Sequence, residues 1–255
     1  MREVKYVLMD IDDTLTTEGK MTGEAFSALW RLKEAGLVVI PVTGRPAGWC
    51  DMIAREWPCD GVVGENGALV FYEKNHVLKQ IFHPNAVRNE HPTLLAIKER
   101  VLKEVPGTRL AKDQPYRMFD IAIDFAEEEP ILPLSEAEKI KTIALDEGAK
   151  RGETVSAKIS SIHVNIWMGA YSKLDMSRRF LNEHFGWNES TELSQVVFVG
   201  DSPNDEPMFE HFPMAAAVAN INKYKHLMHH LPGFIASKEC GAGFTEIAKK
   251  ILNHE

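Results

Sequence analysis

The sequence predicts an α/β protein built on a parallel sheet and interrupted by an inserted α+β block, and three observations predict it. Short apolar runs ending on acids or on a glycine-containing turn alternate with amphipathic segments near both ends of the chain, the texture of strand–helix–strand units. Between those flanks, strand candidates alternate apolar and polar residues, as half-exposed antiparallel strands do. The polar residues closing the apolar runs fall where a parallel sheet binds its ligands, beyond the carboxyl ends of its strands.

Residues 4–9 are apolar up to Asp10, Asp12 and Asp13, which reads as a buried strand delivering acids at its end. Ala25, Phe26, Leu29, Trp30 and Leu32 recur at helical spacing over residues 22–35, with Thr22 to cap the start and Gly36 to stop it. Residues 37–42 form a second buried strand ending at Thr43-Gly44-Arg45, and Pro46 suits the first turn of a helix. Residues 60–63 and 68–72 read as short strands around the turn Gly64-Glu65-Asn66-Gly67. The middle block offers helices at 93–104 and 135–150 and strands at 119–125, near Val155 and at 162–167. A helix over 172–184 follows, then a strand over 195–199 closing on Gly200-Asp201-Ser202-Pro203-Asn204-Asp205, a strand candidate at 214–219 and a last helix over 243–252. With linkers at 83–85 and 169–171, the expected division is a core of residues 1–83 and 172–255 and an insertion of residues 84–171.

Composition narrows the function classes. The 255 residues allow one large domain or two modest ones, and 44% apolar with 26% charged residues is ordinary globular usage, which excludes disordered and low-complexity classes. The net charge of −8, from 37 acids against 29 bases, argues against nucleic acid or a membrane surface as partner. No apolar run approaches the ~18–20 residues that cross a bilayer, and the start does not read as a signal peptide, so a cytoplasmic protein is expected. Cys50, Cys59 and Cys240 are odd in number and lack a CxxC pair, which points to idle thiols rather than a disulfide or zinc framework.

Four segments carry candidate chemistry. Asp10 and Asp12 leave a strand end one residue apart, and neighbouring carboxylates need a cation or a proton to coexist. A calcium-binding EF-hand loop is excluded because its sixth position is Leu15 and its twelfth is Met21. Thr43, Gly44 and Arg45 offer a hydroxyl and backbone N–H groups ahead of a helix, a small anion cradle. Lys173 stands at a helix start, unfavourable for a cation unless an anion lies opposite. Asp201 and Asp205 lie four apart across a strand-to-helix turn.

In this order the four segments resemble the haloacid dehalogenase (HAD) superfamily: DxDxT, a strand-end Thr, a Lys, then GDxxxD. The resemblance covers both flanks and implies a Rossmann-like parallel-sheet HAD core whose inserted α+β block is the type-two cap of the subfamily IIB (Cof and sucrose-phosphatase-like) phosphatases. Gly64-Glu65-Asn66-Gly67-Ala68 and the GDSPND segment are similar to that subgroup, GDSPND especially to its mannosyl-3-phosphoglycerate phosphatases. Asp13 stands where most of the subgroup has Gly.

The resemblance implies a Mg²⁺-dependent phosphatase for a small phosphorylated sugar or sugar-acid metabolite, working through an aspartyl-phosphate. It implies Asp10 as nucleophile, Asp12 as general acid and base, and Lys173 as partner of the phosphoryl group. Thr43, Gly44, Arg45 and Asn66 are the expected phosphate and substrate contacts, and Asp10, Asp12, Asp201 and Asp205 the expected metal site, Asp12 through its backbone carbonyl. Retention of Asp12 favours phosphoryl transfer over dehalogenation, since only an alkoxide leaving group needs an acid. The rival readings are a phosphomannomutase-like mutase and a non-catalytic phospho-ligand sensor; a monomer or homodimer is expected. Lys158, Ser160, Ser161, His163, Asn165 and Arg117 are the insertion's polar candidates for the leaving group, while Trp167 and Tyr116 are aromatics better suited to packing.

Overall fold

The computed structural model describes residues 4–160 and 162–253. Along the chain, β1 (Tyr6–Met9) leads into a small flap of β2 (Thr16–Thr17) and β3 (Lys20–Met21), then α1 (Gly23–Glu34), β4 (Val38–Pro41) and α2 (Ala47–Glu56). Next come β5 (Val62–Gly64), β6 (Leu69–Lys74) and β7 (Val77–Phe82), an antiparallel sheet joined to the end of β4 by a parallel bridge between Val42 and Val63. The middle of the chain supplies α3 (Pro92–Glu104), β8 (Arg109–Leu110), β9 (Asp120–Asp124), α4 (Leu134–Lys150), β10 (Val155–Ile159) and β11 (His163–Met168). Its four strands pair antiparallel in the order β10-β11-β9-β8. The chain then forms α5 (Lys173–Phe185), α6 (Glu189–Glu192), β12 (Val196–Gly200), α7 (Glu206–His211), β13 (Ala216–Ala217), β14 (Phe234–Ile235) and α8 (Cys240–Leu252). The central sheet, β14-β13-β12-β1-β4, is parallel throughout.

Local chemistry sets several boundaries. The Thr22 side chain accepts from Ala25 N and starts α1, and Gly36, at φ +83°, turns the chain out of it. Pro46 is the cap residue ahead of α2 rather than a member of its first turn, its carbonyl accepting from Trp49 N and Cys50 N. The strand expected over 214–219 shortens to Ala216–Ala217, because Ala215 N is engaged in a turn with Phe212 O. β7 completes a hairpin through Asn75 and His76, both at positive φ, as a two-residue hairpin turn with the strands' own twist requires.

Strand alternation divides the core. Tyr6, Leu8, Ile40, Val196 and Phe198 pack with Met176, Phe180 and Leu181 of α5 and Met208 and Phe209 of α7. Val7, Met9, Val39, Val197 and Val199 pack with α1, α2 and α8 through Leu29, Leu32, Ile53, Phe244 and Ile247. The result is a helix–sheet–helix sandwich in which the parallel strands are covered on both faces. The β10-β11-β9-β8 sheet has a core of its own: Ile121, Ile123, Val164 and Ile166 pack on Leu94 and Ile97 of α3 and Ile140 and Ala144 of α4. Its other face carries Asp120, Asp124, His163 and Asn165, and contacts reported below turn that face toward the central sheet. The chain enters and leaves this unit side by side, with the His83 and Tyr171 rings 5.2 Å apart. Among the described residues no helix is long and apolar enough to cross a membrane.

Phe198 is fully buried at the centre of one packing face. Phe198→Ala should lower unfolding stability by about 3–5 kcal/mol, from lost burial and the cavity left behind, as measured by urea denaturation.

Candidate active site

The parallel register brings the strand ends together. Met9 pairs with Pro41 on one side and Val199 on the other, so Asp10, Thr43 and Asp201 leave the sheet at one carboxyl edge. Val42 N to Met9 O at 2.7 Å and Asp10 N to Val199 O at 2.9 Å carry both ladders to that edge.

Asp10, Asp201 and Asp205 each place a carboxylate oxygen within 4.8 Å of the other two. Lys173, the first residue of α5, reaches into this group and donates from Nζ to Asp10 Oδ1 at 2.8 Å and to Asp205 Oδ1 at 3.3 Å. Asp205 is fully buried, and its second oxygen accepts from the N–H groups of Asp201 (3.1 Å) and Ser202 (3.4 Å). One carboxylate therefore fastens the turn after β12 and faces the lysine. A Cβ on Gly200 would run into that carboxylate, so the approach needs glycine. Thr14 Oγ1 donates to Asp201 Oδ1 at 3.3 Å.

Burial raises the Asp10 carboxyl to about 7, with Asp205 and Asp12 adding to the rise and Lys173 opposing it. Asp201 is pushed well above the usual carboxylate range by burial, then by Asp205 and Asp10. Burial alone would lower Lys173, but Asp10 and Asp205 outweigh it and hold the ammonium above its ordinary value. Three carboxylates thus face one ammonium in a largely buried space, an arrangement that a further cation relieves. The donors are all oxygen and crowded within a few ångströms, which fits a small hard ion such as Mg²⁺.

The Asp12 side chain stands outside that cluster. Its carboxylate receives a forked pair from Arg45, Nη2 to Oδ1 at 2.6 Å and Nε to Oδ2 at 3.0 Å, and the guanidinium lies 4.3 Å over the Trp49 ring. Arg45, expected at the phosphate, is thus engaged by Asp12. Thr43 is buried, with Oγ1 accepting from Arg45 N at 3.0 Å. The Asn66 amide lies against Gly44 and donates to Asp120 Oδ2 at 3.4 Å. Asp13 occupies the left-handed region at φ +56°, which accounts for the glycine usual at its place; aspartate is among the side chains that tolerate it. Asn220 Nδ2 holds the Asp13 carbonyl at 3.1 Å.

Residues 7–102 match the family of haloacid dehalogenase-like hydrolases. The fold agrees over the full length: the structure of Thermoplasma acidophilum 0175 superposes with a TM-score of 0.74 at 18% identity, covering 98% of this chain and 99% of that one. Over residues 7–102 the chain is similar to the haloacid dehalogenase-like hydrolases. The HAD subclass IIB sugar phosphatase BT4131 superposes with a TM-score of 0.67 at 15% identity, covering 98% of this chain and 99% of BT4131. Two curated relatives are each 24% identical: the phosphoglycolate phosphatase of Methanobrevibacter smithii, over 96% of this chain and 97% of its own, and the glucosyl-3-phosphoglycerate/mannosyl-3-phosphoglycerate phosphatase of Persephonella marina, over 97% of each.

The chain also holds a polar junction that the sequence reading missed. Glu65 is fully buried in the turn after β5, where Oε1 accepts from Ala47 N (2.9 Å) and Met118 N (2.8 Å) and Oε2 from Phe119 N (2.7 Å) and Asp120 N (3.2 Å). One carboxylate therefore ties the start of α2 to the start of β9. Beside it, Arg117 forks onto Asp113, bonds both oxygens of Asp120 and donates to Gly44 O at 3.0 Å. The sequence reading had marked Glu65 only as part of a turn between two short strands and of the segment Gly64-Glu65-Asn66-Gly67-Ala68, with no role of its own.

Most of the other polar side chains on that face of the sheet are paired. Asn165 donates to Asp120 at 3.0 Å, Arg109 pairs with Asp124 at 3.1 Å, and His163 meets Glu127 at 2.8 Å. Ser160 bonds the His163 backbone, whereas Ser161 lies outside the described residues. Trp167 is packed in the main core and Tyr116 is exposed.

Glu65→Ala should destabilise the protein by about 3 kcal/mol or more, because three buried amides and one half-buried amide lose their acceptor at roughly 1–3 kcal/mol each with partial relaxation. Hydrogen exchange at Met118, Phe119 and Asp120 should accelerate in the same variant; unchanged protection there would show that the carboxylate does not hold the junction.

Proposed function

We propose that this chain is a phosphoric monoester hydrolase that uses Mg²⁺ to cleave a small phosphorylated sugar or sugar-acid metabolite through a phosphoaspartyl intermediate on Asp10. The observation that carries this reading is Lys173 bridging Asp10 and Asp205, with Asp201 beside them, at the carboxyl edge of the parallel sheet. The curated relatives support the reaction class, and all three substrates in their names are phosphate esters of hydroxy acids.

In this reading an Asp10 oxygen attacks phosphorus while the bond to the leaving oxygen breaks. Asp12 protonates the departing alkoxide and then takes a proton from the water that cleaves the phosphoaspartyl group. Arg45 grips the Asp12 carboxylate before substrate enters, so proton donation requires that pair to loosen on binding. Lys173, Thr43 and Gly44 hold the transferring oxygens, with Arg45 and Asn66 at the rim. Asp10, Asp201, Asp205 and the Asp12 carbonyl would hold Mg²⁺, which when bound offsets the charge that keeps a carboxylate from a phosphate dianion.

Residues 84–171 act as a cap over the leaving group, and residues 1–83 and 172–255 as the catalytic core. The adjacent crossings at His83 and Tyr171 suit a hinge, and Asn204 Nδ2 donating to Ile159 O at 2.8 Å closes the rim elsewhere. The free cysteines suit the cytoplasm, where thiols stay reduced.

Asp10→Asn should cut p-nitrophenyl phosphate hydrolysis roughly a thousandfold or more while the near-UV circular dichroism stays native. Retained turnover would overturn the assignment. Chelation should remove activity and added Mg²⁺ restore it. Mg²⁺ at about 100 times its Kd should stabilise the fold by about 2.7 kcal/mol, read as a higher Tm, and Asp201→Asn should abolish most of that gain.

A further inference from the structure

The polar face of the β10-β11-β9-β8 sheet contains a charge that nothing in the chain accounts for. Strand alternation assigns it: Ala157 and Ile159 of β10 pack on the sheet's own core, so Ser156 and Lys158 point to the opposite face, with Lys158 directly across from Asn165 in the register. Asp120 and Asp124 on that face are ion-paired, and His163, Asn165 and Ser156 are hydrogen-bonded. Lys158 alone among these described residues has neither an ion pair nor a hydrogen bond.

Its place is specific. The next residue, Ile159, receives the bond from Asn204, which lies between Asp201 and Asp205 on the core's acidic turn. Lys158 keeps solvent access, yet the protein crowded around its ammonium, and next the charge of Lys173, hold it below the ordinary lysine value; Lys141 adds to this, while Asp205 and Glu206 oppose it. Two ammonium groups that feel each other's charge repel, and an anion between them turns that repulsion into attraction.

We propose that Lys158 is the specificity-determining residue for an anionic leaving group, and that its ligand is a carboxylate carried by the phosphate ester. The inference rests on the phosphatase reading and deepens it: Lys173 serves the phosphoryl end and Lys158 the acid end of one substrate. A single ammonium beside a neutral amide matches the single charge of a carboxylate. A second phosphate would bring two charges, and no second cation on that face is free to meet them among the described residues, since Arg109 and Arg117 are both engaged.

The test compares full-length wild type, Lys158→Met and Lys158→Arg on two substrate pairs. The first pair, 2-phosphoglycolate and 2-hydroxyethyl phosphate, differs by a carboxylate against a neutral hydroxymethyl group. The second, fructose 1,6-bisphosphate and fructose 6-phosphate, differs by a second phosphate. The wild type should favour 2-phosphoglycolate by kcat/KM. Lys158→Met should lower that preference roughly tenfold to a hundredfold, mainly through KM, as loss of a charged hydrogen bond does, and Lys158→Arg should restore most of it. An unchanged ratio would mean that the lysine only guards the edge strand and would overturn the proposal. So would an equal loss on both members of the first pair, or an effect confined to the bisphosphate. Failure of every ester to turn over in the wild type would instead sink the phosphatase reading, and this inference with it.

Discussion

The structure is organised around the cost of bringing like charges together away from water. Asp10, Asp201 and Asp205 converge although each raises the free energy of ionising the others. A lone carboxylate could be left protonated, but three with a buried ammonium among them form a site whose charge state depends on what enters it. The fold holds them there by devices that do not yield easily: a parallel register shared by three strands, a turn fastened by Asp205 itself, and a glycine, Gly200, where a side chain would run into that carboxylate. Lys173 answers the same constraint from the other side. A cation at a helix start opposes the helix dipole, and it is stable here because two carboxylates face it.

A second buried carboxylate plays a different part. Glu65 receives four backbone N–H groups and so does the work of a short strand, joining two segments that no sheet connects. Arg117 adds a bond to the Gly44 carbonyl. The turn after β4 is therefore braced from above by residues far along the chain, and movement of the β10-β11-β9-β8 sheet would be felt at Thr43 and Gly44. The division of labour is spatial: acidic residues gather at the edge of the parallel sheet, while the opposing antiparallel face is polar and nearly neutralised internally.

Some of this was legible residue by residue. Apolar runs marked the buried strands of the central sheet because a strand covered on both faces has no polar positions to spare. Thr22 marked the start of α1 because capping is a local bond. Short or exposed elements such as β7, β8 and β14 were not legible, since a two-residue strand has no period and an exposed hairpin shows little apolar signal. Glu65 read only as part of a turn between two short strands, and Arg45 as a phosphate contact rather than the partner of Asp12. In each case the deciding contact lies far away in the chain, and side-chain type alone carries no record of burial.

The sequence by itself determined the alternation of strands and helices, the acids at the strand ends and the lysine at a helix start, because these follow from local periodicity and capping. Only the tertiary structure decided which charges meet. Register, burial and the facing of one sheet toward another placed Lys173 between Asp10 and Asp205, locked Arg45 onto Asp12, hid Glu65 and left Lys158 unpaired. Electrostatic energy depends on separation and on the surrounding medium, and both are properties of the folded chain rather than of the order of its residues.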